Sequence, residues 1–407
     1  MIRAGQGVAL LTIALLVVGV LMVNSTGLVV ESTAPPIDHA TVFLGAPAIH
    51  AMLAVAALAA GAYFPVRRLG ESRRGLASLA PMLFLLGLVI LLFAWVPSVG
   101  RSMNASSRWV ELFGVRFQAS ELIKWTLPVL LAWWATRPGV DLRRFWKVLL
   151  PMLLLVGLVG VTIAIEDLGT AFLVVCVALL VLVAAGARLV HLLLLAPLGL
   201  LGLAAGVLAE PYRVQRLITF LDPYADPERS GWHIIQSLRA ISGGGLFGRG
   251  LGAGEQKFDL VSDTTDFIFS IICEELGLLG AGLVIVAFAS LIWCGLSILT
   301  RPSAARPGDG DGGEDPDRFL RLLGFGILFT VGGQALFNLL VATALIPTKG
   351  IALPLVSRGG TGWILTSLFL GLLISIDRTL SAPAAVRDGH PVPRGTDPGP
   401  LAGTVGQ

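Results

Sequence analysis

The chain has 407 residues, 55% of them hydrophobic and 14% charged, with a mean hydropathy of +0.84. Soluble domains carry about 25% charged residues, so a soluble globular enzyme, a disordered chain and a collagen-like chain are all excluded. The net charge of +3 is too small to argue for nucleic acid. The apolar residues come in long runs rather than in alternation, against an outer-membrane barrel, and 49 Gly fit membrane helices, which tolerate glycine. Cys176, Cys273 and Cys294 lie inside apolar runs without metal-ligand spacing, so neither a disulfide framework nor a zinc site is expected. These features predict an all-α polytopic membrane protein.

A hydrocarbon core of ~30 Å takes about 20 apolar residues per helix. Ten stretches qualify, at about 8–29, 45–64, 79–97, 119–135, 147–164, 169–187, 189–209, 266–298, 319–345 and 354–377. The first follows Arg3 like a signal peptide, but no small-residue cleavage site follows Val23, so it reads as a retained helix. Arg67, Arg68, Arg73 and Arg74, then Arg137, Arg143, Arg144 and Lys147, then Arg188, then Arg301, Arg306, Arg318 and Arg321 fall in alternate loops, whereas 30–43 has no Lys or Arg. That asymmetry places both termini in the cytoplasm. The segments 98–118, the turn at Asp167, the long loop 210–265 and 346–358 are then extracytoplasmic, and 346–358 also suits a re-entrant loop lined by protein. One transmembrane domain is expected over 1–381. The linker 301–317 and the Pro/Gly-rich tail 382–407 read as flexible cytoplasmic segments.

Ionisable residues in or beside spans are the informative ones, because burying them unpaired is costly. Arg108-Trp109 comes first, then Phe117-Gln118-Ala119-Ser120-Glu121-Leu122-Ile123-Lys124, in which Glu121 and Lys124 share a helix face. That spacing fits an interfacial ion pair and equally an acid–base face lining an outward pocket. Asp167 is placed to cap the next helix. The outer loop offers Arg213, Arg216, Gly231-Trp232-His233, Gln236-Ser237, Gly243-Gly244-Gly245, Gly248-Arg249-Gly250-Leu251-Gly252 and Gln256-Lys257. Its glycines suit an ordinary bend, or backbone amides approaching a phosphate. Asp266 precedes the apolar Phe267-Ile268-Phe269 at the head of span eight, where a helix cap and a general base both fit. Glu274-Glu275 lie deeper. Pro347-Thr348-Lys349-Gly350 and Ser357-Arg358-Gly359-Gly360 read either as a broken turn or as cations facing the same pocket.

In order and spacing together, these motifs resemble the SEDS family, the FtsW/RodA/SpoVE peptidoglycan polymerases, from span three onward. The matching pieces include Arg108-Trp109, Phe117 to Lys124, Asp167-Leu168-Gly169-Thr170, Phe220-Leu221-Asp222-Pro223, Gln236-Ser237, Gly248-Arg249-Gly250-Leu251-Gly252, Gln256-Lys257, Thr265-Asp266-Phe267-Ile268-Phe269 and Glu274-Glu275-Leu276-Gly277. Pro347-Thr348-Lys349-Gly350 looks closer to the FtsW branch. The resemblance implies a bacterial inner-membrane enzyme of division or cell-shape wall synthesis, working on its outer face beside a class B penicillin-binding protein. Its substrates would be lipid II and undecaprenyl-linked glycan. The growing chain would pass to a sugar hydroxyl with inversion, so a base must activate that hydroxyl.

The resemblance assigns that base to Asp266. It gives Arg108, Lys124, Arg213, Arg216, Lys257 and Lys349 to the departing pyrophosphate, helped by a divalent cation such as Mg or Mn. It gives Trp109, Glu121, Gln236 and Ser237 to substrate binding. This chain departs from the family before Asp266, reading Val261-Ser262-Asp263-Thr264 where Pro-Glu-x-His is usual, with Asp263 as the substitute. It also reads Val356-Ser357-Arg358-Gly359-Gly360 in place of Ile-Ser-Tyr-Gly-Gly. The rival readings are a lipid II flippase, in which Asp266 is no base, and a catalytically weak division scaffold.

Overall fold

The computed structural model describes residues 3–27, 45–71, 78–93, 100–103, 106–112, 115–258, 260, 266–301, 315 and 317–381. Arg73, Arg74, most of the linker 301–317, Val261 to Thr264 and the tail 382–407 lie outside the described residues.

A helix occupies each of the ten expected stretches. These are α1 (Ala4–Gly27), α2 (Ala46–Tyr63), α3 (Leu79–Phe93), α4 (Ala119–Ala135), α5 (Leu150–Glu166), α6 (Leu168–Ala184), α7 (Leu189–Leu208), α10 (Ile268–Leu299), α11 (Arg318–Ala342) and α12 (Gly360–Ser381). Two further helices of the long loop 210–265, α8 (Pro211–Leu221) and α9 (Trp232–Gly243), precede α10. Among the described residues, seven helices are long and apolar enough to cross a membrane: α1, α2, α5 with the π-turn before it, α7, α10, α11 and α12. Helices α3 and α6 are shorter but also apolar.

The segment before α4, in which no strand was expected, forms an antiparallel sheet. It consists of β1 (Gly100–Met103), β2 (Ser106–Leu112) and β3 (Val115–Gln118), in the order β1-β2-β3. Arg101 pairs with Trp109, and Trp109 with Gln118. Strand β3 runs directly into α4, so the sheet fixes the direction in which that helix starts.

Helix α4 is the axial element, packed against α3, α6 and α11, with Ile123, Leu127 and Leu131 fully buried. Lipid gives helices little hydrophobic reason to associate, so close backbone contact takes over. Helix α2 lies on α12 through such a contact: a methyl on Gly61 would sit 2.2 Å from the Leu368 carbonyl oxygen. Helix α7 is the opposite case, with no buried residue and Leu194 and Leu208 more than 70% exposed.

The long helix α10 is broken at Gly277, whose φ of +67° and ψ of −168° leave the helical region. A break inside a span frees backbone groups that water cannot reach, and each must find a partner. The glycine-rich segment after α9 provides them. Arg249 and Gly250 donate their N–H groups to the carbonyls of Glu274 and Glu275 at 3.0 and 2.9 Å. Leu278 and Leu279 donate to the carbonyls of Gly245 and Leu246 at 3.0 and 3.2 Å. A side chain at Gly244 or Gly248 would strike the α10 backbone, at 1.8 Å from the Cys273 oxygen and 2.2 Å from the Glu275 oxygen. These glycines therefore splice a loop into a broken helix, which decides between the bend and the phosphate nest in favour of a structural role.

Two buried carboxylates tie the splice down. Glu274 accepts from the backbone N–H of Glu255 at 2.9 Å. Glu275 holds Lys257 Nζ at 3.1 Å and accepts from Ser25 Oγ at 2.5 Å, linking α1 to the splice. Removing one partner of a buried ion pair strands the other, at a cost of about 3–5 kcal/mol. Lys257→Met should therefore lower the thermal unfolding temperature of the detergent-solubilised protein strongly. The double variant Lys257→Met with Glu275→Leu should recover part of the loss.

Candidate active site

Asp266 lies half-buried one residue before Phe267, which occupies the capping position of α10 without a side-chain cap. Asp266 is thus not the cap of that helix. A methyl on Gly350 would lie 3.0 Å from Asp266 Oδ2, so the segment between α11 and α12 passes directly against the carboxylate. Lys349 is half-buried, and its Cδ is 3.4 Å from where a methyl on Gly169 would sit, a position equally close to Asp167 Oδ1. Asp167 caps α6 by accepting from the N–H groups of Gly169 and Thr170 at 3.0 and 3.1 Å. The heads of α6 and α10 and the turn carrying Lys349 therefore meet.

The segment 351–357 folds back into the bundle. Ile351, Leu353, Leu355, Val356 and Ser357 are buried, and a methyl on Gly19 of α1 would be 2.4 Å from the Leu355 oxygen. Its backbone is held by two amides one turn apart on α11. Gln334 Nε2 donates to the Ala352 carbonyl at 2.8 Å, and Asn338 Nδ2 donates to the Ile351 carbonyl at 2.7 Å. Asn338 Nδ2 also reaches the carbonyl of Asp266 at 2.9 Å. Gln334 Oε1 accepts from Lys124 Nζ at 2.6 Å, and Lys124 pairs with Glu121 at 2.7 Å. Neither amide stood out in the sequence. The available signal was two carboxamides four residues apart in an otherwise apolar span, where polar groups are costly unless they bond.

The expected cations divide by placement. Lys124 is 2% exposed, and its pair with Glu121 is largely enclosed by the protein. Lys257 spends its three donors on Glu275 and the carbonyls of Ser25 and Gly252. Arg213 is buried and clamps helix ends, donating to the carbonyls of Ala164 and Ile165 at the end of α5 and of Gly206 in α7. As placed, Lys257 and Arg213 serve the scaffold. Arg216 is exposed, over the Tyr212 ring at 5.6 Å, and Lys349 stands beside Asp167 as above. The side chains of Arg108 and Trp109, on β2, lie outside the described residues. Ser237 is a tether, 2.6 Å from Ser270 Oγ and donating to the Ala342 carbonyl at 2.7 Å, so α9 is pinned to α10 and α11. Gln236 is buried beside it, and its Oε1 has no partner among the described residues.

The sequence motif Gly231-Trp232-His233 placed no role on His233. Its ring stacks on Phe267 at 6.0 Å, and both partial burial and the charge of Arg216 hold its pKa below the usual 6.5. Among the described residues no three His, Cys, Asp or Glu side chains converge as a metal site. Asp263, the expected substitute beside Asp266, lies outside the described residues, and no step below is assigned to a divalent cation.

A family model described as cell cycle protein, covering FtsW, RodA and SpoVE, matches residues 6–382. The probable peptidoglycan glycosyltransferase FtsW of Alkalilimnicola ehrlichii is 36% identical over 92% of this chain and 89% of its own. The chain belongs to the FtsW/RodA/SpoVE family. Stage V sporulation protein E of Bacillus subtilis is 34% identical over 73% of this chain and 78% of its own. Among solved structures, a chain from a peptidoglycan synthase complex that coordinates polymerization and crosslinking matches with a TM-score of 0.69 at 25% identity, covering 93% of this chain and 98% of that one. RodA of Thermus thermophilus matches with a TM-score of 0.57 at 24% identity, over 93% and 97% of the two chains, a likeness of fold.

The depressed pKa of His233 has a consequence for stability. The unfolded chain takes up the imidazole proton at a higher pH than the folded one, so stability is complete above about pH 6.5 and is lost as pH falls through the lower folded value. Thermal unfolding followed from pH 7.5 to 5 should show that loss. His233→Gln should flatten the profile.

Proposed function

We propose that this chain is a peptidoglycan glycosyltransferase that elongates glycan from lipid II at the membrane's outer face. The observation that carries this reading is the half-buried carboxylate of Asp266, set against Gly350 and next to the turn bearing Lys349, in a chain of the FtsW/RodA/SpoVE family. All ten long helices cross the inner membrane, both termini are cytoplasmic, and the outer loop with α8 and α9 is extracytoplasmic. The alternating Arg and Lys loops support this arrangement.

Asp266 accepts the proton of the acceptor sugar hydroxyl. The resulting oxygen attacks the anomeric carbon of the donor from the face opposite its diphosphate, so one C–O bond forms as another breaks and the configuration inverts. The departing undecaprenyl pyrophosphate carries the negative charge that develops. This reading assigns Lys349, Arg216 and Arg108 to meet it. Lys124 acts one layer further in, through Glu121 and Gln334. A class B penicillin-binding protein crosslinks the product. The likeness to a chain from a synthase complex supports that pairing.

The test is glycan synthesis from purified lipid II with the cognate penicillin-binding protein present. The parent chain should polymerise, and Asp266→Asn should lower the rate by at least ~100-fold, the lower range for a general acid–base group. Polymer formed equally well by Asp266→Asn would sink the reading. Transport of lipid II across vesicles by both proteins without elongation would make the chain a flippase. For topology, Tyr224→Cys, at a residue 69% exposed in the outer loop, should react with a membrane-impermeant maleimide added outside spheroplasts.

A further inference from the structure

Asn338 is a fully buried carboxamide in an apolar helix, and both of its recorded bonds are donated to main-chain oxygens, those of Asp266 and Ile351. Its Oδ1 has no partner among the described residues, so the amide is useful here for its two N–H groups. The two oxygens belong to segments far apart in sequence: the head of α10 and the turn after α11. Gly350, the residue before Ile351, is the one that touches the Asp266 carboxylate. One side chain therefore sets the spacing between the carboxylate and the turn beside it.

Gln334, one turn earlier on α11, continues the connection. It holds the Ala352 carbonyl with its N–H and the ammonium of Lys124 with its oxygen, and Lys124 is paired to Glu121. Read in order, Glu121, Lys124, Gln334, the 351–352 backbone, Asn338 and Asp266 form one line of hydrogen bonds joining the start of α4 to the head of α10. An apolar residue at 338 would withdraw both of these donated hydrogen bonds. The segments would then separate to find other partners.

We propose that Asn338 is a positioning residue for glycosyl transfer, a clasp that fixes the Asp266 carboxylate against the turn of Lys349 and Gly350. This rests on the assignment of Asp266 as the base. Asn338 touches neither substrate nor reacting atoms. It acts through Asp266, so its loss should slow the chemical step more than it weakens substrate binding.

Two measurements test this separately. In polymerisation of lipid II, Asn338→Leu should lower kcat by ~100-fold, the scale of an ångström-level misplacement, with KM within about threefold. Asn338→Ser, which keeps a donor, should restore part of kcat. The second measurement needs no activity. A protein carrying Asp266→Cys and Gly350→Cys should crosslink readily on mild oxidation, and adding Asn338→Leu should slow that crosslinking by about tenfold, in proportion to the lost contact.

Unchanged kcat in Asn338→Leu, or unchanged crosslinking, would overturn the proposal. So would a loss of kcat matched by a lowered unfolding temperature and not relieved by Ser, which would mark Asn338 as merely structural. Full activity in Asp266→Asn, with crosslinking still dependent on Asn338, would instead remove the base assignment and leave the clasp as a contact without a catalytic consequence.

Discussion

Main-chain groups at membrane depth have no water to turn to, and a span that breaks must find its hydrogen bonds inside the protein. In this chain the break at Gly277 is answered by the backbone of residues 245–250, four hydrogen bonds in all, at a distance that admits no side chain at Gly244 or Gly248. The surroundings of Asp266 follow from that constraint. The first piece of α10, which carries Asp266 at its head, is held by the splice at the break, by Ser237 from α9 and by Asn338 of α11 at its tip. The costly carboxylates Glu274 and Glu275 stand where they lock the loop to the helix.

A second segment of irregular backbone is handled in the same way. The turn between α11 and α12 goes back into the bundle, and its carbonyls are met by carboxamides from the helix just traversed. Two departures from regular helix thus flank the carboxylate, one below it and one beside it. Regular helices present side chains at fixed intervals and bury their own amides. Interrupted ones can bring a charged head group, a glycine turn and a carboxylate into one small volume, which an inverting transfer between two large lipid-borne sugars requires.

Much of the architecture was legible because its signals are local. Hydropathy alone located the ten helices to within several residues, and the sequence Asp167-Leu168-Gly169-Thr170 announced its own cap. The Glu121–Lys124 pair followed from a spacing of three residues. What the sequence hid was long-range pairing. Lys257 looked like an outward cation, yet its carboxylate partner lies 18 residues on and the Ser25 carbonyl it also binds is in the first helix. Arg213 likewise binds carbonyls of α5 and α7, and nothing in its own neighbourhood announces them. The sheet before α4 was missed because two of its three strands are only four residues long, too short for a pattern to stand out. Gln334 and Asn338 were passed over since neutral amides in an apolar run draw less notice than charges, although burying them is what makes them directional.

Helix α7 is governed by a different kind of selection. With none of its residues buried, its side chains answer to the surrounding lipid and hardly to neighbours within the fold. Its composition is therefore under pressure while the identity at each position is not, and exchanges among Leu, Val and Ala along it should be tolerated. The contact of Gly61 with α12 allows no such drift. Comparing how fast these two helices diverge among relatives would measure, residue by residue, the difference between being dissolved in a bilayer and being fitted to a protein.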